Sequence, residues 1–94
     1  MKVVWTPQAR ADRDDIWLYI AADDPSAAAR MDQVFSDAAA SLSDLLLRGR
    51  SGAVSGTREL ILHRSYRLIY EVVGETVWIL ALIHTSRAWP PVRG

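Results

Sequence analysis

Seven consecutive residues, Val77 to Ile83, are apolar without interruption. A run of that length, far short of a membrane span, suits a β-strand at the centre of a sheet with both faces covered. The preceding run has a different pattern: Tyr66, Leu68, Tyr70 and Val72 fall on one face, and Arg67, Ile69, Glu71 and Val73 on the other. Arg67 therefore points away from Tyr66 and Tyr70. With Arg58 to His63 ahead of them and short turns at Arg64-Ser65 and Gly74-Glu75, these runs predict a three-stranded antiparallel meander over the second half of the chain.

The first half predicts helices. Lys2 to Trp5 is short, apolar and β-branched, and it stops at Thr6-Pro7, a capping threonine followed by the proline favoured at the first helical position. Ile16, Tyr19 and Ile20 then recur at helical spacing up to about Ala22, while Arg10, Asp14 and Asp15 lie elsewhere on the wheel. Asp24-Pro25 repeats the cap and restart, so two helices meet in a hairpin. The second carries Met31, Val34, Phe35, Ala38, Leu42, Leu45 and Leu46 at intervals of three and four, and its predicted end is Arg48-Gly49. Gly49 to Thr57, with three glycines and two serines, reads as a loop. The expected architecture is α+β in one domain, residues 1–94: an N-terminal strand, a helical hairpin and the meander, with the helices on one face of the sheet.

Composition narrows the function. The 94 residues contain no cysteine, so neither a disulfide framework nor a thiolate metal site is available, and two histidines with no ligand cluster make a metal site unexpected. The first residues lack the apolar run of about 7 to 15 that a signal peptide needs, and a cytoplasmic location with no membrane association is expected. The net charge of zero hides an asymmetry: residues 1–47 carry four Lys/Arg against eight Asp, and residues 48–94 carry seven Arg against three Glu. A neutral total opposes broad nucleic-acid binding, which relies on many phosphate contacts, but leaves room for one local phosphate site. Four tryptophans in a domain that buries only about 60 to 65% of its unfolded surface point to a partner that covers apolar area on the hairpin and sheet edge.

The order of elements resembles the small toxins of the RelE/ParE superfamily over nearly the whole chain. The likeness rests on Trp5-Thr6-Pro7-Gln8-Ala9-Arg10-Ala11-Asp12 leading to Ile16-Trp17, on Gly56-Thr57-Arg58-Glu59-Leu60, on Tyr66-Arg67-Leu68-Ile69-Tyr70, and on His84-Thr85-Ser86-Arg87-Ala88-Trp89-Pro90. What it implies is the toxin of a bacterial type II toxin-antitoxin system, linked to growth inhibition and plasmid stabilisation. Such a toxin needs no cofactor and forms a hetero-oligomer with a cognate antitoxin whose C-terminal segment wraps it. RelE-like members cleave messenger RNA in the ribosome without metal, whereas ParE-like members poison DNA gyrase. A third possibility is an inactive relative that only binds antitoxin.

Metal-free RNA cleavage uses the adjacent ribose hydroxyl as nucleophile, so the protein must move two protons and stabilise charge on phosphorus. By resemblance, Arg67 and Arg87 match arginines that RelE-like nucleases place on the phosphate. His84, at a strand end, has the intrinsic pKa for acid-base work. These three are the catalytic set if the chain is a nuclease. Arg58, Arg64, Tyr66, Arg67, Arg87 and Trp89 are the expected target-binding or antitoxin-binding set. Each has a plainer role open to it: Arg67 as the partner of Glu71 or of an antitoxin carboxylate, His84 as a packing residue, Arg87 in solvent, and Trp89 folding the tail back on the core. Two departures weigh against the nuclease. Glu59-Leu60-Ile61-Leu62 stands where RelE-like enzymes carry lysines, and no tyrosine follows Tyr70 before the end at Arg93-Gly94. Asp14-Asp15-Ile16-Trp17 and Leu82-Ile83-His84 are closer to ParE-like members, which favours gyrase as the target.

Overall fold

The computed structural model describes residues 1–91, and the expected chain end at Arg93-Gly94 lies outside them. In chain order the elements are β1 (Lys2–Trp5), α1 (Pro7–Ala21), α2 (Pro25–Ser41), β2 (Arg50–Ser51), β3 (Thr57–His63), β4 (Tyr66–Val73) and β5 (Thr76–His84). Both predicted caps form: Thr6 Oγ1 accepts from the Ala9 N–H at 3.2 Å and Asp24 Oδ1 from the Ala27 N–H at 3.1 Å. Thr6 also ties the helix start to the sheet, because its hydroxyl donates to the Ile79 carbonyl at 2.7 Å.

The meander is present, with two additions that make a five-stranded mixed sheet in the order β1-β5-β4-β3-β2. The N-terminal strand β1 pairs parallel with β5, and the expected loop over residues 49–57 contains the two-residue strand β2, antiparallel to β3. β4 keeps the predicted alternation throughout. Tyr66, Leu68, Tyr70 and Val72 meet α1 and α2 in a core with Ala9, Phe35, Leu42, Leu60, Val77, Ile79 and Leu82. Each large apolar side chain buried there contributes about 1.5 to 3 kcal/mol.

Three expectations are corrected. β5 is not covered equally on both faces: Ile69 faces Ala81 and Tyr70 faces Ile79, so Leu80 is an extra residue, and Trp78 on the face away from the helices stays 37% exposed. α2 ends at Ser41 rather than at Arg48-Gly49, with the Ser41 hydroxyl donating to the Ala38 carbonyl at 2.6 Å. That bond competes with the helical ladder, and backbone bonds from the Ser43 N–H to Ala40 and from the Asp44 N–H to Ser41 close the helix in turns. Leu42 is buried, but Leu45 is exposed. On α1, Tyr19 is 79% exposed. The inward stripe is Ala9, Asp12, Ile16 and Ile20, in which Asp12 Oδ2 accepts the Leu82 N–H at 3.0 Å.

Tyr70 fixes the segment after α2. Its buried hydroxyl donates to the Leu46 carbonyl at 2.7 Å and accepts from the Gly49 N–H at 2.9 Å. Only glycine allows that approach, since a Cβ at position 49 would lie 2.8 Å from the Tyr70 ring. Across the hairpin, Arg13 meets Asp32 with two bonds of 2.6 and 2.8 Å and lies 4.8 Å over the Trp5 ring. The hydrogen bonds from Arg13 hold the Asp32 carboxyl below its ordinary value. A depressed carboxylate contributes its stability above the unfolded value, about pH 4, and loses it as pH falls through the folded value. Wild type should therefore melt above Asp32→Asn by at most about 1 kcal/mol at pH 6, with the gap closing below pH 4. Melts at both pH values check this.

Candidate functional site

The register of the sheet decides which basic side chains share a face. Arg50 pairs with Glu59, Glu59 with Ile69 and Ile69 with Ala81, so these four project from the face opposite the helices. Arg67, opposite Ile61 and Ile83, lies on that same open face. It does not pair with Glu71 on its own strand. Its partner is Glu59, diagonally across β3 and β4, with Nη1 2.6 Å from Oε1. The second branch, Nη2, donates to the Arg87 backbone carbonyl. Nε is buried without a partner. Glu59, 5% exposed, also accepts the Ala53 N–H at 3.2 Å and has Arg50 at 3.8 Å.

His84 stands opposite Tyr66 and so projects from the helix-bearing face, away from Arg67. Its ring meets Tyr66 edge to face at 5.7 Å, and Tyr66 meets Phe35 at 5.5 Å. Nδ1 accepts the Ser86 N–H at 3.1 Å and contacts the Ser86 hydroxyl at 2.7 Å. Burial, and after it the nearby Tyr19, pushes the Tyr66 hydroxyl above its ordinary value. The Arg87 side chain is exposed; its backbone N–H donates to the His84 carbonyl at 3.0 Å.

The structure thus brings Arg67 to the backbone of Arg87 but places His84 on the other side of the sheet. Of the remaining expected residues, Arg58 spends Nη1 on the Gly49 carbonyl at 2.8 Å, Arg64 is exposed, and Trp89 is half-buried in the tail. The sequence reading overlooked Glu59 as the group that organises this face, and β3–β4 register is the signal that finds it. Among the described residues no cluster of acidic residues or histidines could hold a metal ion, and no helix is long and apolar enough to cross a membrane.

A second surface lies on the hairpin. Trp17, Leu18 and Tyr19 are consecutive on α1 and 38, 68 and 79% exposed, and Val34 on α2 is 40% exposed. Asp14, Asp15, Asp23 and Asp24 surround the α1 residues in sequence and are exposed. Trp17 also lines an open groove of about 680 Å³ with Trp5, Arg10, Arg13, Asp14 and Asp32. Trp17 and Tyr19 are about 200° apart around α1, with Leu18 between them, so a partner that covers all three has to wrap the helix.

Comparison with known proteins agrees with this fold. Residues 3–89 match the family model described as the ParE toxin of the type II toxin-antitoxin system parDE. A Sinorhizobium fredii (strain NBRC 101917 / NGR234) protein named "Putative toxin Y4kP" is 35% identical over 91 residues, covering 97% of this chain and 95% of that protein. A solved structure titled as the chromosomal ParDE TA system from P. aeruginosa superposes with a TM-score of 0.80 at 28% identity, covering 89% of this chain and 95% of that one. The YoeB/ParE toxin from Agrobacterium tumefaciens gives a TM-score of 0.64 at 20% identity over 89% of this chain and 98% of its own, which speaks for the fold alone. With the helical hairpin, the mixed sheet and a match across most of its length, the chain belongs to the ParE toxin family of type II toxin-antitoxin systems.

Proposed function

We propose that this toxin acts in the cytoplasm as one domain and stops growth by binding DNA gyrase, and that its antitoxin neutralises it by covering the hairpin surface around Trp17, Leu18 and Tyr19. The observation that supports gyrase over RNA is the arrangement of the three basic residues. Arg67 is engaged by Glu59 and the Arg87 carbonyl, and His84 projects from the opposite face. A phosphate-transfer site needs its acid-base group and its charge-stabilising arginines around one phosphorus atom. The neutral net charge supports the same choice, because a toxin that recognises RNA inside the ribosome benefits from a wide basic surface.

Induction of the toxin in cells tests the reading. The expected result is a DNA-damage response and filamentation, with no new messenger RNA ends by primer extension. The nuclease reading instead requires discrete cuts within codons, reduced about 100-fold or more by Arg67→Ala or Arg87→Ala and to a similar degree by His84→Ala. Such cuts would make the nuclease reading correct.

A further inference from the structure

Three chain segments meet at the Glu59 carboxylate. Oε2 takes the Ala53 N–H from the loop after β2, while Oε1 takes Arg67 Nη1 from β4, with Arg50 nearby. Arg67 then reaches the tail through Nη2 and the Arg87 carbonyl. Before that point the tail is fastened at Thr85, whose N–H donates to the Ser65 carbonyl at 2.9 Å and whose hydroxyl donates to the Arg64 carbonyl at 2.9 Å. Ile69 and Ala81 lie on this face, outside the helix-facing core, yet are 0% and 2% exposed. Two segments outside the sheet are tied to this same face, the loop at Ala53 and the tail at Arg87.

We propose that Glu59 and Arg67 form a latch that holds the tail at Arg87 against the open face of the sheet. The Arg67 fork serves this contact and does not receive a ligand. A guanidinium presents donors in a fixed plane, so one arginine can meet a carboxylate with one branch and a carbonyl with the other. The two contacts depend on each other: Glu59 is too buried to stay charged at low cost without a cation beside it, and Arg67 is aimed at the tail by that carboxylate. An incoming anion would meet a guanidinium that already spends one N–H of each Nη on Glu59 and the Arg87 carbonyl and whose Nε is buried. The latch does not depend on whether gyrase or RNA is the target.

Trypsin reads the latch directly, because the carbonyl that Arg67 holds belongs to the Arg87–Ala88 peptide bond. Cleavage of a folded chain requires local opening, and Arg30 in the middle of α2 reports opening of the hairpin instead. The ratio of cutting after Arg87 to cutting after Arg30 should rise about 10-fold in Arg67→Gln. Glu59→Gln should raise it in the same way, and the double variant should go no further than the larger single effect. Arg67→Lys keeps a charge beside Glu59 but lacks the second branch, so it should raise the ratio even if the glutamine variants do not fold. An unchanged ratio in Arg67→Lys, or in a folded Arg67→Gln, overturns the proposal.

Discussion

Bound to its antitoxin, the toxin should melt about 15 to 30 °C higher than it does alone. A partner present at about a thousand times its dissociation constant stabilises the folded state by about 4 kcal/mol. In a domain of this size each kcal/mol moves the melting point by about 4 to 8 °C. The exposed Trp17, Leu18 and Tyr19 supply the apolar area for that gain. Leu18→Ala with Tyr19→Ala should remove most of the increment while leaving the free toxin's melting point nearly unchanged, because these side chains are 68% and 79% exposed. Differential scanning fluorimetry of the toxin alone, in complex and as the double variant checks this. Equal melting points with and without antitoxin would contradict it.

Phe35→Ala should cost about 3 to 5 kcal/mol, the largest loss expected from one substitution. Phe35 is 1% exposed, links α2 to the sheet and meets the Tyr66 ring edge to face at 5.5 Å. Truncation leaves a cavity between layers that the Tyr66 and Leu68 backbones, fixed in a strand with partners on both sides, cannot collapse to fill. Urea unfolding at constant slope measures the loss. A change under about 1 kcal/mol would show that the hairpin and sheet are not packed as described.

What the sequence disclosed and what it hid divide along range. Thr6-Pro7 and Asp24-Pro25 announced both helix starts because a cap acts on N–H groups two or three residues away. The alternation from Tyr66 to Val73 was equally local, and it placed Arg67 on the correct face. Ser41 was a local signal too, outweighed by the periodic Leu42, Leu45 and Leu46. The pairing of Lys2–Trp5 with the start of β5 joins positions more than 70 residues apart, and nothing in either run specifies the other. Arg50–Ser51 is too short to show a period, and the extra residue at Leu80 interrupts none in an all-apolar run. These long-range facts determine the candidate site. Assigning Glu59 rather than Glu71 to Arg67 requires the β3–β4 register, and placing His84 on the opposite face requires the β4–β5 register.

The reading of this toxin as a gyrase poison is tested most directly by purified toxin in a DNA supercoiling reaction with gyrase, run with and without antitoxin. The account predicts loss of supercoiling or accumulation of cleaved gyrase-DNA complex at toxin concentrations near that of the enzyme, reversed by antitoxin. It also predicts that Arg87→Ala leaves messenger RNA on translating ribosomes as intact as wild-type toxin does. Undisturbed supercoiling, together with ribosome-dependent cuts that disappear in Arg87→Ala, would contradict it.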